Sequence, residues 1–192
     1  MSAIKYLKAI IFLTLMIVLA AKFFLKRKKT EKKPQKLTAE IIDATPDSEL
    51  LFIINDNLSD KASKGNYAKE VEIMLSWTKS QQAIYVIWCL EAEVNNGGFN
   101  QFYFNSNGKY HKLLPDLLRL VGAVKFANLI ERVNLVYEKE NNIITKEWEG
   151  TFKGENPLNK FDDEFQTLYD EESLFQLQID YIRQHKQDFI DK

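Results

Sequence analysis

The feature that most constrains this chain is an apolar stretch ending in two asparagines and two glycines. Ala83-Ile84-Tyr85-Val86-Ile87-Trp88-Cys89-Leu90 carries almost no polar face, and Asn95-Asn96-Gly97-Gly98 follows within one further turn of helix. Thr78-Lys79-Ser80-Gln81 has the form of a capping box just upstream. A helix opening there and running to about Val94 is apolar nearly all round, so it must be the buried centre of a helical domain. The Asn-Asn-Gly-Gly run must then end it, because Gly and Asn favour left-handed and turn conformations.

Other helix signals surround that centre. Thr45-Pro46-Asp47 reads as N-cap, N1 proline and first-turn acid, and Leu50, Leu51, Ile53, Ile54 and Leu58 supply a stripe after it. Tyr67–Trp77 follows, with Val71, Met74 and Leu75 on one face. Phe99–Phe104 is ambiguous between strand and short helix. Pro115 opens a helix that Gly122 breaks, and Ala123–Lys139 continues the pattern. Asn141–Pro157 reads as loop, and Asp170 as the cap of a final helix. Nothing alternates with period two over a useful length, so the expected class is all-α, a compact multi-helix domain.

An N-terminal transmembrane helix is expected to precede that domain. Ala9–Ala21 is 13 uninterrupted apolar residues, and Ile4–Leu25 extends it to 22 with only Lys5, Lys8 and Lys22 inside. A helix of that length reaches about 33 Å at 1.5 Å per residue. A cleaved leader is the competing reading. The basic flank Lys26-Arg27-Lys28-Lys29 with Lys32, Lys33 and Lys36 argues for an anchor and places the domain on the cytoplasmic side. The expected organisation is an anchor over 1–25, a basic linker over 26–44 and an acidic helical domain over 45–192, a single-pass membrane protein.

Charge is split between these parts. The first 36 residues hold ten of the 26 Lys and Arg but one of the 27 acids, which leaves 16 basic against 26 acidic residues in 37–192. Such a domain repels nucleic acid and attracts basic proteins. Eight acids lie between Glu155 and Asp180, against the single base Lys160. Asp162, Asp163, Asp170 and Glu171 are the candidates there for contact with a basic partner, since acids three or four apart share a helix face. An ordinary solvated surface is the plainer reading of the same run.

Material for chemistry is scarce. The one cysteine, Cys89, lies inside the apolar run and behaves as a small hydrophobe. His111 and His185 alone do not make a zinc site, and no cofactor is implied. No Ser-His-Asp, Cys-His or phosphate-loop arrangement is present. Glu91 and Glu93, two apart on a helix, point away from each other. The chain is therefore read as a non-enzymatic protein.

The most distinctive local sequence surrounds the glycines: Glu93, Asn95, Asn96, Gly97, Gly98, Phe99, Gln101, Phe102 and Asn105, with Gly108 beyond. One reading is structural, with asparagines capping, glycines allowing a tight corner, and Phe99 and Phe102 plugging the core. The other is a polar binding surface made by Glu93, Asn95, Asn96, Gln101 and Asn105. This stretch resembles the signature of the DNA-mimic protein C-terminal domain family. Gly122-Ala123 with the preceding leucines, and Asp162 to Phe189, fit the same pattern, so the resemblance covers roughly residues 50–190. It implies an all-helical acidic domain. In the family's named member, a dimer's surface carboxylates imitate DNA phosphates and occupy a DNA-binding protein. A basic protein partner and a homodimer are thus implied, without direct nucleic-acid binding. A membrane-tethered immunity protein that neutralises a toxin is the alternative that size, charge and helicity also suit.

Overall fold

Capping chemistry sets several helix boundaries. In this computed structural model, which describes residues 36–63, 67–105, 109–148 and 154–191, Thr78 Oγ1 accepts from Gln81 N at 3.2 Å and Gln81 Oε1 accepts from Thr78 N at 3.3 Å. This is the reciprocal box expected from the sequence, and it opens the longest helix. The helices are α1 (Ala39–Ala44), α2 (Asp47–Ser63), α3 (Tyr67–Leu75), α4 (Lys79–Asn105), α5 (Leu114–Leu120), α6 (Val124–Trp148), α7 (Asp162–Glu171) and α8 (Leu174–Gln184). Two 3-10 turns, Asn159–Phe161 and Lys186–Phe189, complete the order. No strand occurs among the described residues, and the all-α class holds.

Helix α4 is the hub, as its apolar circumference requires. Ala83, Ile84, Val86, Ile87 and Leu90 are fully buried. Helices α2, α5, α6 and α7 and both 3-10 turns pack on it. The buried Ile, Val and Leu side chains each contribute about 1.5–3 kcal/mol relative to exposure. Gly122, with φ 87°, ends α5, and the turn passes directly into α6 through Ala123 N donating to Leu118 O at 2.8 Å.

Four boundaries differ from the sequence expectation. Residues 39–44, inside the stretch read as linker, form α1, with Thr38 as N-cap. Six residues do not hold a helix alone, and the C-terminal segment supplies the support. Arg183 donates to the carbonyls of Ile42 and Thr45 and pairs with Asp47, and Lys186 pairs with Asp43. Asp191 accepts from Leu37 N at 2.7 Å and from Asn57 at 2.9 Å, and pairs with Lys61 at 2.6 Å. Thr45 closes α1 through its hydroxyl on Ile41 O rather than capping α2. Helix α6 runs on to Trp148 through a kink at Glu140, where a loop was expected. Ser173, not Asp170, caps α8, its Oγ accepting from Gln176 N.

The expected single-pass membrane localisation is corrected. No helix among the described residues is long and apolar enough to cross a membrane. Ile4–Leu25, on which the expectation of an anchor rested, lies outside the described residues, as does the basic stretch up to Gln35.

Candidate functional site

The corner expected at Gly97-Gly98 is a sharp bend inside α4, not its end. Gly97 has φ −158° and ψ 26°, and Gly98 has φ 74° and ψ −177°. The chain then resumes as helix, so Phe99–Phe104 is helical, and Phe99 and Phe102 are fully buried. Gly98 needs its glycine twice over. Its φ lies where an L side chain is strained, and a Cβ would stand 2.9 Å from Asp162 Cγ. That carboxyl fills the space above the bend and accepts from Phe99 N at 2.9 Å. It serves as the N-cap of the second half of α4, supplied from 63 residues away. Burial raises the Asp162 carboxyl above its ordinary range, with the neighbouring Asp163 adding to the effect and the Phe99 amide opposing it.

The polar residues of the corner bond to one another. Glu93 Oε2 accepts from Gln101 Nε2 at 2.6 Å and from Asn105 Nδ2 at 2.8 Å. Gln101 Oε1 accepts in turn from Asn96 Nδ2 at 2.9 Å. The side of α4 facing α7 carries a second set. Asn95 Oδ1 accepts from Gln166 at 2.8 Å, and Asn95 Nδ2 lies 3.5 Å from the Tyr169 hydroxyl. Tyr169 donates to Glu91 Oε1 at 2.8 Å, and Gln178 donates to Glu91 Oε2 at 3.0 Å. Glu91 and Glu93 thus serve separate networks, as their spacing requires. Burial raises Glu91 above the ordinary carboxylate range, while Tyr169 and Gln178 pull it back in part.

The acidic run divides by function of position on α7. Phe165 and Leu168 are buried, and Phe165 meets Phe99 of α4 at 5.5 Å and Phe126 of α6 at 5.3 Å, both edge-on. Tyr169 adds a third edge-on pair with Phe126. The outward face is Asp163, Gln166, Thr167 and Asp170, at the i, i+3, i+4, i+7 spacing of one helix stripe. Of the other acids, Glu164 pairs with Arg132 and Glu171 with Lys125 at 2.8 Å. Glu172 receives two amides of the first turn of α6, Lys125 N and Phe126 N, near 3.2 Å. Four candidates that sequence reasoning grouped therefore have different situations: Asp162 is turned inward, Glu171 is ion-paired, and Asp163 and Asp170 face out.

One cluster had no sequence signal. Glu70 Oε1 accepts from the hydroxyls of Tyr85 at 3.0 Å and Tyr110 at 2.7 Å, and Lys109 lies 3.2 Å away. Burial would raise this carboxyl, but Tyr110, Lys109 and Tyr85 together hold it below its ordinary value. Cys89 beside it is pushed up to about 12, chiefly by burial and then by the Glu70 charge. It is an inert thiol.

A bend of α4 plugged by Asp162, with both carboxylates of the preceding turn tied into amide networks, spans the part of the chain that a known family model describes. The DMP19-like protein model matches residues 75–185. The chain belongs to that family. The match contains α4 to α8 and so includes the corner, the acidic helix α7 and the Glu91 network, while α1, α2 and all but the last residue of α3 precede it. The resemblance read from the sequence to a DNA-mimic family is borne out. Neither the curated proteins nor the solved structures contain a match to the chain.

Proposed function

We propose that the domain is an acidic, non-enzymatic binding module that occupies a DNA-binding protein by offering carboxylates where DNA offers phosphates. Membership of a family named for a DNA mimic supports this reading, as does the surplus of ten acids over bases in residues 37–192. The observation that carries it is the outward stripe of α7. Asp163 and Asp170 are seven residues apart, about 10.5 Å along a helix axis. The two carboxylates therefore stand two helical turns apart on one exposed face, as a repeated negative charge presented to solvent. A buried aromatic face and the Asp162 plug hold the stripe rigidly, and pre-organised charge loses less on binding than mobile charge.

In this reading the binding residues have two roles. Asp163 and Asp170, with Glu171 at the rim, meet the partner's basic surface. Asp162, Gly97, Gly98, Phe99, Glu93, Asn95, Asn96, Gln101 and Asn105 position the helix that carries them. The like charge of DNA keeps the domain itself off nucleic acid. A homodimer carries two such stripes, and sedimentation of the full chain tells it from a monomer.

The test uses the full chain as bait, mass spectrometry to name the retained proteins, and duplex DNA as competitor. The expected result is a DNA-binding protein that duplex DNA displaces in proportion to its concentration. A retained protein that DNA leaves in place, a toxin for instance, contradicts mimicry.

A further inference from the structure

The carboxyl of Glu91 on α4 is half-buried between α7 and α8. It receives Tyr169 from α7 and Gln178 from α8, and among the described residues no ion pair reaches it. The groups facing it are one titratable phenol from α7 and one neutral amide from α8. Glu93 on its own helix is engaged elsewhere, with Gln101 and Asn105. Gln178 is fully buried. Its Nε2 also reaches Leu174 O at 3.3 Å, but its Oε1 has no donor. A half-buried carboxylate, which only accepts, therefore sits beside a buried acceptor that lacks a donor. Each such unmade bond is costly inside a protein.

One proton changes that balance. A neutral Glu91 loses an uncompensated charge and gains an O–H, which the Gln178 Oε1 can receive once the amide turns over. We propose that Glu91 is a proton-sensitive joint, and that gain or loss of a proton there re-sets the hydrogen bonds seating α7 and α8 against α4. Tyr169 lies on α7 between Gln166 and Asp170, so the joint acts on the helix that presents the outward acids. That last consequence rests on the proposed function; the joint itself does not.

The sign follows from burial, which raises Glu91 in the folded chain. The folded state then holds the proton more tightly than the unfolded chain does. The stability it contributes is full below the ordinary carboxylate range and is lost as pH rises through the folded value. Replacement of Glu91 by Gln removes that pH-dependent part.

Carbon-13 NMR of the Glu91 carboxyl and nitrogen-15 NMR of the Gln178 side-chain amide, followed through a pH titration of the full chain, test the joint. The expected result is a Glu91 midpoint above the ordinary carboxylate range and a Gln178 step at the same midpoint. The Gln178 step should vanish in Glu91→Gln. Tyr169→Phe keeps the ring but removes a donor to the carboxylate, so it should move the midpoint further up, and it serves if Glu91→Gln does not fold. A Gln178 amide indifferent to pH, a Glu91 midpoint in the ordinary range, or a Tyr169→Phe midpoint that does not move overturns the proposal.

Discussion

Two polar regions of this molecule look alike in sequence and differ in structure. Around Gly97-Gly98, Glu93, Asn95, Asn96, Gln101 and Asn105 bond to each other and to Gln166 and Tyr169. On α7, more than 60 residues further along the chain, Asp163 and Asp170 face outward. Both are runs of amides and carboxylates beside buried phenylalanines. The difference is that the corner bends one helix back toward its own polar groups, while α7 is an amphipathic helix on which Gln166 reaches Asn95 but Asp163 and Asp170 stay exposed. Asp162 belongs to both, since it starts α7 and plugs the corner. Polar composition alone therefore does not mark a binding surface. What matters is whether the local backbone lets the polar groups satisfy one another.

Substitutions that separate the regions should have graded effects. Phe99→Ala removes a fully buried ring packed against Phe165 and should cost about 3–5 kcal/mol in denaturant unfolding. A loss below about 1 kcal/mol would mean the corner is not a core element. Gly98→Ala adds left-handed strain and displaces Asp162, so about 2–3 kcal/mol is expected. Gly97→Ala should cost less, about 1 kcal/mol, because its φ is not left-handed and the nearest atoms a Cβ would meet belong to the Gln101 side chain. Equal losses at the two glycines would break the account of the bend.

Adjacent acids offer a finer comparison. Asp162→Ala leaves Phe99 N without its cap and should cost about 1–2 kcal/mol. Asp163→Ala, one residue on and exposed, should change stability by less than about 0.5 kcal/mol. The smallest stability effect expected is that of salt on these exposed acids, yet salt should act strongly on partner binding. The Debye length falls from about 30 Å at 0.01 M to about 8 Å at 0.15 M, so affinity should drop steeply across that range, mainly through slower association. Binding that ignores salt would remove the acidic stripe from the interface.

Short-range features of the fold were legible in the sequence. The Thr78–Gln81 box, the buried course of α4 and the break at Gly122 all follow from residues close in sequence, while the glycines read as a helix end where the chain only bends. Features that depend on distant partners were not. Helix α1 exists because Arg183, Lys186 and Asp191 hold it, more than 130 residues away. Asp162 reads as one more acid of a charged run until Phe99 N is placed beneath it. Glu91 reads as a helix-face acid until Tyr169 and Gln178 close over it. The extension of α6 to Trp148 was masked by Asn141-Asn142, which suggest a loop when seen alone. The outward stripe was half legible: the acidic run marked Asp163 and Asp170, but Asp170 read as the cap of the next helix, and nothing told that Asp162 and Glu171 were engaged.

The most direct measurement compares two double variants of the full chain for melting temperature and for affinity to the DNA-displaceable partner. One is Asp163→Lys with Asp170→Lys, and the other is Asn96→Ala with Gln101→Ala. The account predicts that the charge reversal weakens binding at least tenfold and leaves the melting temperature nearly unchanged. The corner pair should lower the melting temperature and weaken binding only as far as folded protein is lost. Binding that survives the charge reversal but disappears in a fully folded corner variant would contradict it, and would make the corner the interface.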